Sequence, residues 1–326
     1  MGSRWIRRIA VLLVLAALAY PAAGGLVLWR AVSGVLSVGM LSDALAAAPR
    51  PDDPLALGYR GDPREALGLD YETVEVRTPL GPAPAWYVPG DAAGAEGGRA
   101  AIYVHGIAGA REDGYRALSI LAEAGIPTLL VTYRNDPGAP GEPSGAYGFG
   151  LTEWRDLEAA VRWMEARGHE NLILVAESMG GAISGQFLAR SPEAGRIAAL
   201  ALDAPALDGR AVLVHLAAQI GLPFPRLVAP AAELWLAYLG PLDLRGARVV
   251  DVVAAFDGPL FLAHGTADRI VPSAISDAVL ALREGLAQRG EGPVVSIRTG
   301  GDHLMSYAEN PQAYRAAFAE FLALPR

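Results

Sequence analysis

Six apolar runs constrain this chain more than any other feature of its sequence. Residues 100–104, 128–133, 171–176, 197–202, 259–263 and 294–298 are short, rich in Val, Ile, Leu and Ala, and mostly bounded by Gly, Pro or polar residues. Runs of that length read as strands buried on both faces, the pattern of a parallel sheet. Amphipathic stretches at 112–124, 152–167, 180–189 and 273–289 lie between most of them, and a last one follows at 311–322. Two shorter strand-like segments, 73–77 and 85–88, stand ahead as a hairpin pair among Pro and Gly. This order predicts an α/β fold, a mostly parallel sheet with helices on both faces. Ligands on such sheets bind at the carboxyl ends of the strands.

Ahead of these elements lies a charge-free stretch, residues 9–29, preceded by Arg4, Arg7 and Arg8 and followed by Arg30. As helix it rises about 30 Å, the thickness of a bilayer's hydrocarbon core. Three Arg before it against one after it predict a transmembrane signal anchor over 1–30, with the rest of the chain on the extracytoplasmic side. The alternative is a cleaved signal peptide and a secreted product, with Ala17-Leu18-Ala19 as the small-residue cleavage pattern. Residues 31–70 carry Pro49, Pro51, Pro54 and Pro63 and read as a stalk or wrapping segment. The main domain is then 71–326, with an insert at about 207–257 between two strands.

Composition narrows the chemistry. All 27 basic residues are Arg, and the chain has no Lys and no Cys. Thiolate nucleophiles, Cys-ligated zinc, P-loops and lysine Schiff bases are therefore excluded. A net charge of −8 argues against a nucleic-acid partner, which needs a basic footprint. Nothing in the sequence calls for a cofactor or a metal. If the chain is a covalent catalyst, its nucleophile is an oxygen.

One strand end offers such an oxygen. The run 171–176 passes through Ala176-Glu177-Ser178-Met179-Gly180-Gly181 directly into a helical stretch, a nucleophile-elbow pattern with Ala in place of the first Gly. Small residues are needed at both Ala176 and Gly180 because the turn is tight. A serine hydroxyl needs a base, and of the five His the one best placed is His303, in the Gly-Asp-His turn after the last strand. His169 reads as a solvated residue, and His215 as a packing or mouth residue. His105 and His264 end strands and read as loop supports, with His105 also a candidate for touching substrate. Asp268, in the loop after the strand at 259–263, fits the role of orienting the imidazole; Asp203 competes for it, and Asp302 lies too near His303 in sequence. Oxyanion donors are expected at the N–H groups of Met179 and Ile107, with Gly106 permitting a strained backbone before Ile107.

These residues together resemble the α/β-hydrolase superfamily over roughly residues 71–324. The carriers are His105-Gly106, the segment from Ala176 to Gly181, the stretch 264–272 and the Gly-Asp-His turn. Within it the chain is similar to membrane-tethered serine hydrolases of the serine aminopeptidase and monoacylglycerol lipase-like branch. Tyr133-Arg134 matches that branch, whereas Asn135-Asp136-Pro137 departs from its Gly-rich continuation. The resemblance implies hydrolysis of an ester, thioester or amide through an acyl-enzyme, and the reading adopted is an ester, as of a carboxylesterase, lipase or lysophospholipase. Peptidase and thioesterase activity, a catalytically silent binding protein and a metal-dependent hydrolase are the alternatives. The insert is strongly apolar and predicts a small helical lid, with Leu213, Leu216 and Trp235 as candidates to contact a small-molecule or lipid-like acyl substrate.

Overall fold

Eight strands form one sheet in the computed structural model, which describes residues 2–91, 99–240, 242–287 and 292–325. They are β1 (Glu72–Thr78), β2 (Gly81–Val88), β3 (Arg99–Val104), β4 (Thr128–Leu130), β5 (Asn171–Glu177), β6 (Ile197–Asp203), β7 (Leu260–Gly265) and β8 (Val294–Thr299). Their spatial order is β1-β2-β4-β3-β5-β6-β7-β8. Only β2 runs antiparallel to its neighbours, β1 and β4; the other pairings are parallel.

Helices α1 (Gly2–Leu36), α2 (Met40–Ala47) and α3 (Pro63–Leu67) precede the sheet, and α4 (Tyr115–Glu123), α5 (Trp154–Ala166) and α6 (Met179–Arg190) connect its central strands. The insert after β6 holds α7 (Gly209–Gln219), α8 (Pro225–Leu239) and α9 (Val250–Ala254). Then come α10 (Ala274–Ala287), α11 (Ser306–Glu309) and α12 (Pro311–Leu322). Residues 288–289 of the expected helix at 273–289, and residue 241 of the expected lid, lie outside the described residues.

Strand alternation divides the core into two layers. Ile102, Leu174, Leu200 and Leu262 face one side, where α5, α6 and the insert contribute Val161, Phe187 and Leu213. Tyr103, Val175, Ala201 and Phe261 face the other, against Leu118 of α4 and Phe318 of α12. Both faces are covered, which is why the central strands read as apolar without alternation.

Two segments differ from the sequence reading, and a third takes the second of its two expected forms. β4 ends at Leu130 and not at 133: the Val131 N–H still donates to the Tyr103 carbonyl at 3.2 Å, but the amides of Tyr133 and Arg134 bond to side chains. The N–H of Tyr133 donates to Asp136 at 2.8 Å and that of Arg134 to Asp156 at 2.9 Å. Helix α1 runs past the expected boundary at residue 30 to Leu36, since Leu28, Val32 and Leu36 recur every four residues and are buried in the core. The segment 37–70 wraps the body and is no free stalk. The Gly58 N–H donates to Asp113 at 3.2 Å, the Tyr115 hydroxyl donates to the Gly61 carbonyl at 2.5 Å, and Tyr59 packs on the Tyr115 ring.

Candidate active site

The carboxyl end of β5 carries a strained turn near the centre of the sheet. β5 stops at Glu177 and α6 starts at Met179, so Ser178 alone makes the turn, at φ 51° and ψ −118°. A side chain rarely adopts that backbone, and the strain persists only because packing on every side fixes it. A Cβ on Gly180 would lie 2.2 Å from the Val104 carbonyl oxygen, so no larger residue fits there. Ala176 is fully buried opposite Val104.

Two loops from neighbouring strand ends converge on Ser178. His303 Nε2 lies 2.9 Å from Ser178 Oγ, and His303 Nδ1 lies 2.7 Å from Asp268 Oδ2. Because a carboxylate only accepts, Nδ1 carries the proton and Nε2 offers its lone pair to the serine hydroxyl. Asp268 is itself held on both oxygens. Its Oδ1 accepts the N–H groups of Ile270 and Val271, each at 2.8 Å, and His264 Nε2 approaches Oδ2 at 3.2 Å. Burial pushes this carboxyl up, but the bonds from His264, His303 and the Val271 amide, with the charge of His303, together hold it well below the usual carboxylate range. His264 Nε2 also faces the Val271 carbonyl at 3.0 Å, so it carries the proton, and Nδ1 accepts from the Ser276 hydroxyl at 2.7 Å.

The competing carboxylates are placed elsewhere. Asp203 accepts the Ser178 N–H through its backbone carbonyl at 3.0 Å, while burial pushes its carboxyl up. Asp302 accepts the backbone N–H of His303 at 2.8 Å and of Arg269 at 3.0 Å, and it pairs with the Arg269 guanidinium.

His105 does not line the cavity at Ser178. It is fully buried behind the loop, stacked on Tyr133, with Nδ1 2.8 Å from the Gly106 carbonyl and Nε2 2.9 Å from Asp136. Both ring nitrogens meet acceptors, an arrangement that favours the protonated ring. Burial alone would lower its pKa, and the Asp136 charge overcomes this and raises it. The left-handed backbone in this loop falls at Ala108, φ 52°, and not at Gly106. Gly106 is needed for another reason: a Cβ there would stand 3.0 Å from that of Ser178. His215 lies near the acid loop with its Nε2 on the Asp268 carbonyl at 3.0 Å. His169 is half-buried and bonded to the Tyr87 hydroxyl at 3.1 Å, so it is not a free solvated residue.

Ser178, Met179 and Ile107 line one cavity of about 80 Å³ with Leu213 and Leu216. Trp235 does not reach it; its indole N–H donates to the Ala22 carbonyl of α1 at 3.0 Å. Val32, Val35 and Leu36 of α1 line the cavity, as does Phe149, none of them anticipated from sequence. The continuation of the apolar stripe Leu28, Val32, Leu36 beyond Arg30 was the available signal for α1.

A mostly parallel sheet in this order, with a serine in the turn after β5 and a carboxylate and a histidine after the last two strands, is the α/β-hydrolase fold. Solved structures agree on the fold. The Pyrococcus furiosus esterase Pf2001 superposes with a TM-score of 0.61 at 20% identity, covering 84% of this chain and 95% of that one. XC6422 of Xanthomonas campestris, described as an α/β serine hydrolase without a lid, gives 0.53 at 20% identity over 79% and 96% of the two chains. By sequence, the chain is 24% identical to the uncharacterized protein YfhR of Escherichia coli K12, over 83% of this chain and 84% of YfhR. It is 25% identical to the uncharacterized protein YqkD of Bacillus subtilis, over 68% and 70%. No family model matches the chain.

Proposed function

We propose that this protein is a serine hydrolase that cleaves carboxylic esters through an acyl-enzyme. The chain of contacts from Ser178 through His303 to Asp268, at 2.9 and 2.7 Å, is the observation that carries the reading. Ser178 Oγ attacks the acyl carbon as His303 Nε2 takes its proton, and Asp268 stabilises the imidazolium that forms. The N–H groups of Met179 and Ile107 receive the oxyanion. Collapse expels the alcohol, which takes the proton from His303; water, deprotonated by the same ring, then releases the acid and frees Ser178. The supporting shell belongs to the same reading. His264 and two backbone amides keep Asp268 ionised, and the His105–Asp136 pair holds the Ile107 loop. Esterases among the proteins of similar fold support the choice of ester as the bond cleaved.

The apolar cavity between the insert and α1 takes the acyl side of the substrate in this reading, and α1 anchors the protein to a membrane. Among the described residues it is the one helix long and apolar enough to cross a bilayer. A fluorophosphonate probe tests the chemistry. The parent protein is expected to label, with or without chelator, and Ser178→Ala is expected not to. Labelling that survives in Ser178→Ala would assign the nucleophile to another residue, and an unlabelled parent protein would refute the serine mechanism.

A further inference from the structure

The free part of α1 is too short for the span its sequence describes. Residues 9–29 carry no charge, but from Tyr20 onward the helix is packed on the insert. Tyr20 lies edge-on to Phe224, and the Ala22 carbonyl accepts the Trp235 indole N–H. A Cβ on Gly25 would sit 2.8 Å from the Ala232 backbone nitrogen. Eleven free residues, 9–19, rise about 16 Å, roughly half of a hydrocarbon core of about 30 Å. The other half must come from residues 20–29, where backbone meets backbone and no lipid fits between α1 and α8. Whatever depth those residues take, α8 takes with them.

The outer face of α8 suits that position. Leu227, Leu234, Tyr238 and Leu239, with Phe224 just ahead, are between 50% and 76% exposed. Glu233, the helix's acidic residue, is buried and paired with Arg210. Arg226, in the first turn, is the one exposed charged residue of α8. We infer that α8 lies in the bilayer beside α1, and that the site receives acyl esters resident in the membrane. The inference rests on the anchor and ester readings given above. With Trp29 at the boundary, Val35 on the cavity wall stands six residues further along, about 9 Å, at the outer edge of the headgroup layer. A cavity of about 80 Å³ is small beside the several hundred Å³ of pockets that enclose whole ligands, so a long acyl chain must extend out of it.

Because the chain has no Cys, single-cysteine variants label cleanly. The full chain in phosphatidylcholine vesicles would carry bimane at Val14→Cys, Leu234→Cys, Tyr238→Cys or the exposed Asp70→Cys. Doxyl-labelled lipid is expected to quench the first three at least twofold and to leave the fourth unchanged. Fluorophosphonate labelling reports that each variant is folded, and Leu227→Cys replaces any that is not. Quenching at 14 without quenching at 234 and 238 would overturn this inference and leave the anchor standing. Absence at all of them would overturn both. Shielding at 234 that grows with protein density and ignores doxyl lipid would assign the face to a second copy of the chain, and so overturn it too. Leu227→Asp with Leu234→Asp should lower turnover of a long-chain p-nitrophenyl ester held in the vesicles at least tenfold, with soluble p-nitrophenyl acetate unaffected. Equal loss on both substrates would refute delivery from the membrane.

Discussion

Replacing Arg116 by Met tests how the base of the nucleophile turn is held. Arg116 is 4% exposed, and its Nη2 lies 2.7 Å from both carboxylate oxygens of Glu177, the residue before Ser178. Tyr103 donates its hydroxyl to the same carboxylate at 2.9 Å, and no other guanidinium bonds it among the described residues. Met fills most of the volume, so the main effect is a buried carboxylate without its counter-charge. Removing one partner of such a pair costs about 3–5 kcal/mol, a factor of about 10² to more than 10³ in the folding equilibrium. Burial pushes the Glu177 carboxyl up and Arg116 pulls it back, so without Arg116 its folded-state value rises further above the unfolded one. A group raised in this way contributes fully below its unfolded value and loses that contribution as pH rises through the folded value. The deficit of Arg116→Met thus grows as pH rises and is larger at pH 7 than at pH 5. Adding Glu177→Gln removes the charge while leaving an oxygen for Tyr103, and should restore at least half of the loss. Urea unfolding in detergent micelles, followed by Trp fluorescence at both pH values, measures all three. A loss below about 1 kcal/mol at pH 7, or one equal at both pH values and unrelieved by Glu177→Gln, would refute the reasoning.

Other substitutions follow from the same geometry. Asp268→Asn should lower kcat by about 10³–10⁴, because the amide no longer fixes the His303 tautomer, with ester binding measured by KM little changed. Since Asp268 is depressed on folding, its contribution to stability is present above about pH 4 and lost at lower pH; the parent and Asp268→Asn unfolding curves should converge on acidification. Gly180→Ala forces a Cβ against the Val104 carbonyl, and thermal unfolding should report a loss of about 1–3 kcal/mol together with impaired turnover. Leu216→Ala, at the half-buried edge of the cavity, should shift the preferred ester toward longer acyl chains in a p-nitrophenyl series; an unchanged profile would count against the cavity as the acyl site.

What could be read in the sequence was what local pattern controls. Buried strands announce themselves by apolar runs, and the tight turn at Ser178 demands small residues two positions either side. His303 and Asp268 were legible because short Gly-containing loops at strand ends leave few directions for a side chain. The wall formed by Val32, Val35 and Leu36 was hidden, because its partner Leu213 lies far away in sequence and neither segment's pattern names the other. The support role of His105 was legible, but its partners were not, for a related reason. Which way its ring turns depends on Asp136, 31 residues later, and on the Tyr133 ring stacked over it.

The carboxylate of Asp302 has a consequence of its own. It takes the amide of His303 from the last loop and the amide and guanidinium of Arg269 from the loop that holds Asp268. Two loops that leave different strands are thereby sutured into one body. The spacing of acid and base is thus set between the two loops themselves. In amide exchange the backbone sites at 268–271 and 301–304 should open together, as a single unit later than the insert.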